Sequence, residues 1–159
     1  MKILILSDTH RQNANMWRVL DKVKPIDMLV HCGDIEGDDS ELTARAQCPV
    51  HIVAGNNDYF YDYDNEQEFR IADKKVLLTH GHKYPVYTKR DALFELAERR
   101  GADIVMFGHL HVPILERRNQ ITVLNPGSLT HPRQDGRKPS YMIMEVDRTG
   151  EVHYTINYL

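Results

Sequence analysis

The 159-residue chain predicts an α/β sandwich, and three observations carry that expectation. Short apolar runs alternate with helix-periodic segments through the first third of the chain. These runs are unbroken, as in strands covered on both faces. Each of them ends in a small cluster of Gly, Asp, Asn or His. A β-α-β-α-β order of this kind implies parallel strands joined by right-handed crossovers.

The first run, Ile3 to Leu6, reads as a buried strand ending at Ser7-Asp8. In 13–24 the apolar residues Met16, Val19, Leu20 and Val23 recur at helical spacing, and Pro25 stops the pattern. Met28-Leu29-Val30 is a second strand ending at Gly33-Asp34, and Ser40 is the expected N-cap of a helix through Gln47. Val50 to Ala54 is a third strand, ending at Gly55-Asn56-Asn57-Asp58. Phe69-Arg70-Ile71 and Val76-Leu77-Leu78 flank Asp73-Lys74-Lys75 as a hairpin. A helix over 88–100 presents Ala92, Leu93, Leu96 and Ala97 on one face and stops at Gly101. Ile104 to Phe107 is another buried strand. Ile114 to Glu116 pairs with Ile121 to Leu124 across Arg118-Asn119, and Tyr141 to Val146 with Val152 to Tyr158 around Arg148-Thr149-Gly150.

Composition narrows the function classes. Hydrophobic residues make up 42% and charged residues 27%, as in an ordinary folded chain, and one domain over 1–159 is expected. No apolar run approaches a membrane span, and MKILILSDTH lacks the apolar length of a signal peptide, so a cytoplasmic location is expected. Cys32 and Cys48 form no CxxC, which argues for free thiols and against thiolate zinc. With 20 Lys+Arg against 23 Asp+Glu the net charge is −3, which argues against a surface built to grip nucleic acid. A homo-oligomer is compatible with this composition.

Five strand ends carry residues of metal-ligand type: Asp8-Thr9-His10, Gly33-Asp34, Gly55-Asn56-Asn57-Asp58, His80-Gly81-His82 and Gly108-His109-Leu110-His111. In open α/β sheets ligands bind beyond the carboxyl ends of the strands, so these loops are expected to share one site. Asp, Asn and His together suit Mn, Fe, Co, Ni or Zn. Glycines before Asp34, Asn56 and His109 permit tight turns toward such an ion. His31, His51 and His153 are read as structural.

The ordered set Asp8-x-His10, Gly33-Asp34, Gly55-Asn56-x-Asp58, His80 and Gly108-His109-x-His111 resembles the calcineurin-like metallophosphoesterase superfamily, and within it the YfcE-type phosphodiesterases. The resemblance spans essentially the whole chain. It implies a four-layer α/β/β/α sandwich of two mixed sheets and a centre of two divalent ions, Mn first, with Ni, Co, Fe or Zn as alternatives. It also implies that Asp8, His10, Asp34 and His111 hold one ion and Asp34, Asn56, His80 and His109 the other, with Asp34 bridging. Asp58 is then expected to orient a neighbour rather than bind metal.

Physical chemistry supports a phosphoester reaction at such a centre. Two divalent ions less the charges of Asp8 and Asp34 leave about +2, which attracts a phosphate. An ion pair about 3.5–4 Å apart can activate a bridging hydroxide for in-line attack. The implied reaction is hydrolysis of a phosphodiester bond in a small-molecule phosphate ester. A phosphomonoesterase and a non-catalytic scaffold like the retromer subunit of this fold are the alternatives.

The chain departs from the superfamily at Asn57, where many members carry a His that assists the leaving group. Asn supplies no acidic proton at neutral pH, so Asn57 is expected to hydrogen-bond the phosphate, with His82 and His131 as alternative acids. Ser128, His131 and Arg133, after Asn125-Pro126-Gly127, are candidate phosphate contacts. The segment 58–68 holds five acids and no base, which disfavours a long polyanion, and its aromatics could stack on a substrate ring.

Overall fold

Strand and helix alternate as the periodicity predicts, and the strands then divide between two sheets. The computed structural model describes residues 1–159. Its first half runs β1 (Lys2–Leu6), α1 (Ala14–Val23), β2 (Met28–His31), α2 (Asp39–Ala46), β3 (Val50–Ile52), β4 (Glu66–Ile71) and β5 (Lys74–Thr79). The second half runs α3 (Asp91–Arg100), β6 (Ile104–Met106), β7 (Pro113–Arg118), β8 (Ile121–Pro126), β9 (Ser140–Val146) and β10 (Val152–Tyr158).

One sheet has the order β10-β9-β1-β2-β3 and the other β4-β5-β6-β8-β7. In the first, β1, β2 and β3 are parallel and β9 is antiparallel to β1. In the second, β5, β6 and β8 are parallel between the antiparallel edges β4 and β7. Both sheets are therefore mixed, and the parallel strands of each bring their carboxyl ends to the same end of the molecule.

Three apolar clusters separate four layers. Ile3, Ile5 and Val30 of one sheet meet Val76, Leu78 and Met106 of the other. Leu4, Leu6 and Leu29, on the opposite face, pack on Met16, Val19 and Leu20 of α1 and Leu42 of α2. Leu77, Val105 and Val123 pack on Leu93, Phe94 and Leu96 of α3. Consecutive residues of β1 thus serve different layers because side chains alternate across a strand, which is why its sequence is apolar throughout. A fully buried Leu or Ile contributes roughly 1.5–3 kcal/mol, so these clusters dominate cohesion between layers. The arrangement is the expected α/β/β/α sandwich, and no helix is long and apolar enough to cross a membrane.

Element ends differ from expectation where local contacts outweigh propensity. Helix α2 begins at Asp39, so Ser40 lies inside it rather than at the cap. Asp38 takes the cap position while its carboxylate accepts a bond from Asn13 Nδ2 at 2.6 Å. Helix α3 begins at Asp91 rather than residue 88. Strand β4 extends back to Glu66 because its ladder with β5 runs on to Glu66 opposite Thr79, and Glu66 and Glu68 also share the Arg100 guanidinium, at 3.0 Å each. The hairpin turns of the second sheet sit at Ala72-Asp73 and Asn119-Gln120, with Ala72 and Asn119 at φ 52°.

The three histidines read as structural sit in three environments. His51 stacks on Phe69, with centroids 3.8 Å apart, and His153 is exposed 3.3 Å from Asp147. His31 is fully buried, with Nε2 3.2 Å from Thr9 Oγ1 and Nδ1 without a partner. Burial holds its pKa down at about 4, against the pull of Asp58 and Asp8. His31 is therefore neutral in the fold and takes up a proton when the chain unfolds in mild acid. Stability is expected to be complete above pH 6.5 and to fall as the pH drops from 6.5 toward 4. Urea titrations at pH 7 and pH 5 check this: His31→Gln should show a smaller loss between the two than the parent chain, and equal losses would rule His31 out as the cause.

Candidate metal centre

The predicted strand ends converge. Two overlapping groups of carboxylates and imidazoles form there: Asp8, His10 and His111 place ligand atoms within 4.8 Å of one another, and so do Asp8, Asp34 and His80. Asp8 Oδ1 lies 3.0 Å from His111 Nε2, 4.0 Å from His10 Nε2 and 3.9 Å from His80 Nε2. Asp34 Oδ2 lies between His80 Nε2 at 3.5 Å and His10 Nε2 at 3.9 Å. Asn56 Oδ1 is 3.2 Å from His80 Nε2. Both carboxylates therefore stand between the two imidazole sets, and Asp8 is the residue common to both groups. His109 is outside both groups, but its ring lines the same cavity and stands 5.2 Å from that of His80.

Each clustered imidazole is held by its other nitrogen. His10 Nδ1 bonds Glu36 Oε1 at 2.6 Å, His80 Nδ1 the Cys32 carbonyl at 2.7 Å, and His111 Nδ1 the His131 carbonyl at 2.8 Å. A donating Nδ1–H fixes the tautomer in which Nε2 carries a lone pair, the form a metal requires. Glu36 is the side chain in this set that the sequence reading missed; its only sequence signal is an acid two residues after Asp34. The other two acceptors are backbone carbonyls, which no residue type reveals.

Local backbone conformation delivers these groups. Asp8, His10, Asp34, His109 and His111 have φ between 46° and 67°, in the left-handed region that Asp, Asn and His tolerate best among non-glycine residues. The glycines act by close approach as well as by turning. A Cβ on Gly55 would fall 2.1 Å from Asp34 Oδ1, and one on Gly108 2.1 Å from Ser7 Oγ. Asp58 is fully buried and accepts three backbone N–H bonds, from Asp34 at 2.6 Å, Gly55 at 2.8 Å and Glu36 at 2.7 Å. It thus ties the β2 loop to the β3 loop.

The electrostatics call for a cation. Burial alone would raise the pKa of Asp34, but His80 and the two Asn57 donors outweigh it and hold the carboxyl well below the usual range. Asp8 is likewise lowered against its burial by His111, His80 and Ser7. His80, although buried, is drawn toward its protonated form by Asp34 and Asp8. Asp8 Oδ1 is buried without a hydrogen-bond donor. An ionised, unpartnered oxygen facing three imidazole nitrogens fits a divalent ion, since burying such a charge unpaired is costly.

Other expected residues divide. His131 and Arg133 line the cavity, of about 190 Å³, together with His10, Asp34, Asn56, Asn57, His109 and His111. Ser128, expected at the phosphate, is corrected: it is fully buried, donates to the Asp8 carbonyl at 2.8 Å, and accepts from the backbone of Thr130 and His131. Asn57 reaches the cavity, but its Nδ2 is spent on Asp34 Oδ2 at 2.7 Å and not turned outward. His82 stands behind His80 with centroids 5.4 Å apart and is not among the cavity-lining residues. Burial, then the charges of His80 and Lys83, lower its pKa. In the acidic loop Tyr61 and Tyr63 pack inward, donating to the Glu36 carbonyl and Asp39, while Tyr59 and Phe60 are 74% and 84% exposed.

Comparison with known proteins agrees with this geometry. A family model described as the calcineurin-like phosphoesterase superfamily domain matches residues 1–149. The probable metallophosphoesterase YsnB of Bacillus subtilis is 33% identical over 150 residues, covering 92% of this chain and 85% of that protein. The phosphodiesterase MJ0936 of Methanocaldococcus jannaschii is 28% identical over 146 residues, covering 80% and 83%. Among solved structures, a predicted phosphoesterase from Streptococcus pneumoniae superposes with a TM-score of 0.81 at 29% identity, covering 99% and 97%. Vps29 of Entamoeba histolytica superposes at 0.80 with 24% identity, covering 100% and 99%, a likeness of fold.

The Asp58 cluster generates a prediction. Asp58→Ala strands buried N–H groups of Asp34, Gly55 and Glu36, and is expected to destabilise the chain by about 2–4 kcal/mol on the cost of unsatisfied buried donors. Urea unfolding measures this, and a change below about 0.5 kcal/mol, within the range of ordinary surface substitutions, would contradict the bracing role.

Proposed function

Since this chain belongs to the calcineurin-like phosphoesterase superfamily, we propose that it hydrolyses phosphodiester bonds of small molecules at a centre of two divalent ions. The observation that carries the proposal is the pair of ionised, buried carboxylates, Asp8 and Asp34, set between imidazoles whose Nε2 atoms are free of other protein donors and acceptors outside the cluster. Asp8, His10, Asp34 and His111 would hold one ion and Asp34, Asn56, His80 and His109 the other, with Asp34, which lies 3.9 Å from His10 Nε2 and 3.5 Å from His80 Nε2, common to both sets. Manganese is the first choice for these oxygen and nitrogen donors, with Ni, Co, Fe or Zn as alternatives. Ions bound there supply an activated water and positive charge to oppose the phosphate.

The chain's own groups do the rest. Asp58 and Glu36 keep the loops and the His10 ring in place. Arg133, at the cavity wall, offers a guanidinium to the phosphate oxygens. A small ester is favoured over a polymer because the cavity is about 190 Å³ and the loop after Asp58 is acidic. The diester preference draws support from the name of the archaeal relative. The phosphomonoesterase alternative shares these groups and differs in substrate fit. The scaffold alternative has the Vps29 fold in its favour, whereas every expected ligand position in this chain carries a coordinating side chain.

Proton supply to the leaving group is weak in this site. Asn57 has no acidic proton, and His82 and His131 are both pushed toward the neutral form, His82 by burial and His80, His131 by burial and the charges of His10 and His111. Turnover is therefore expected to fall steeply as leaving-group pKa rises, since general acid catalysis commonly contributes about 10²–10⁴-fold where present. A series of aryl and alkyl phosphodiesters measures the slope, and a flat series would show that a proton donor operates.

Chelator-treated protein is expected to lose diester hydrolysis and regain it with Mn, Ni or Co. Asp34→Ala should abolish turnover, by several orders of magnitude, whereas Asp58→Ala should reduce it less. Full activity in protein shown metal-free by elemental analysis would falsify the proposal.

A further inference from the structure

A second cavity adjoins the first. It has about 410 Å³ and is lined by Thr130, His131, Pro132, Arg133 and Arg137, and it shares His131 and Arg133 with the metal-site cavity. Arg137 lines the second alone.

This cavity gathers two of the arginines that no carboxylate pairs, beside the metal-site cavity. Arg45, Arg90, Arg100 and Arg118 each pair with a Glu or Asp. Neither Arg133 nor Arg137 has a carboxylate within 4.0 Å. Arg133 Nη1 instead donates to Tyr87 Oη at 2.8 Å, and the Tyr87 hydroxyl donates to the His109 carbonyl at 3.3 Å. A neutral phenol holds this guanidinium in place without cancelling its charge. The backbone fixes both residues. Arg133 N donates to the His111 carbonyl at 2.9 Å, which fastens the loop to the metal-ligand segment. Arg137 N closes a turn on the Gln134 carbonyl at 3.0 Å, with Gly136 at φ 77° and Arg137 at φ 44°. An arginine rarely adopts that conformation.

We propose that Arg133 and Arg137 form a second anion subsite beside the metal centre, and that the substrate is a phosphate ester carrying a further phosphoryl group on the same small molecule, separated from the scissile one by a spacer the size of a sugar ring. This rests on the phosphoesterase reading above and adds the substrate class. Two guanidinium groups without counter-ions match the several oxygens of a phosphoryl dianion, which they can grip in bidentate fashion. The smaller cavity takes the scissile phosphate. The larger cavity, reached past Arg133, takes the second. The acidic segment 58–68 follows the β3 strand end and would repel an anionic group there, so it directs the second phosphoryl toward Arg137.

The test compares two nitrophenyl diesters, thymidine 5′-(4-nitrophenyl phosphate) and the same compound with a 3′-phosphate, in the Mn-loaded protein. In both, water adds to phosphorus, the bond to the nitrophenyl oxygen breaks, and nitrophenolate leaves. The 3′-phosphorylated ester is expected to have a kcat/KM about 10-fold or more higher, the range of one charge-assisted contact. Arg137→Ala should bring the ratio of the two toward unity through KM, Arg137→Lys should retain part of it, and Arg148→Ala, in the β9–β10 turn, should leave it unchanged. Equal kcat/KM values in the parent chain, or a ratio indifferent to Arg137→Ala, would overturn the subsite. Hydrolysis of neither ester would overturn the phosphoesterase reading and the subsite together.

Discussion

Two carboxylates buried side by side where two sheets meet are the constraint on which the rest of this molecule depends. Asp8 and Asp34 end adjacent parallel strands of one sheet, and the imidazoles of His80 and His111 reach them from the other. Ionised groups in such a place repel each other and lose hydration, so the fold must supply donors and positive charge. It does so with Ser7, the His109 amide, Asn57 and the histidines. The lowered pKa of both carboxyls shows that these partners outweigh burial.

That concentration of charge is bearable because the scaffold around it is apolar and close-packed. Three clusters fill the spaces between the four layers, and the parallel strands that end at the site are buried on both faces. Strain is confined to the loops. Five expected ligand residues adopt left-handed backbone conformations, each held by bonds from neighbouring loops, such as Asp8 N to the Gly33 carbonyl and His10 N to the Asp34 carbonyl, both at 3.0 Å. Left-handed residues also occur at the hairpin turns, Ala72 and Asn119, but five gathered around one cavity are characteristic of a functional site.

The wall that carries Arg133 gives the site a direction. The segment between β8 and β9 carries His131, Arg133 and Arg137, and Ser128 anchors it to the end of β1 through its buried hydroxyl. A residue expected to touch substrate is thus the brace for residues that line the cavity. Tyr87 has a comparable place, spanning the His109 carbonyl and Arg133. Position in the loop network, rather than residue type, separates contact from support.

Much of the fold was legible in the chain because strand burial and helix periodicity are local signals. The unbroken run Ile3 to Leu6 announces a strand covered on both faces, and Met16, Val19, Leu20 and Val23 announce the face of α1. The polar residues directly after each strand were equally legible, since strand ends point the same way in parallel sheets. Tertiary structure alone decided the rest. It placed Asp8 in both ligand groups, turned the Asn57 amide onto Asp34, buried Ser128, and brought Glu36 to His10 and Arg137 to the second cavity. His10 meets His111 across 101 residues and Ser128 meets Asp8 across 120, and geometry at such separation is set by how the two sheets pack. A sequence specifies which groups can coordinate, donate or accept; the distance and direction between groups remote in the chain exist only once the layers have closed.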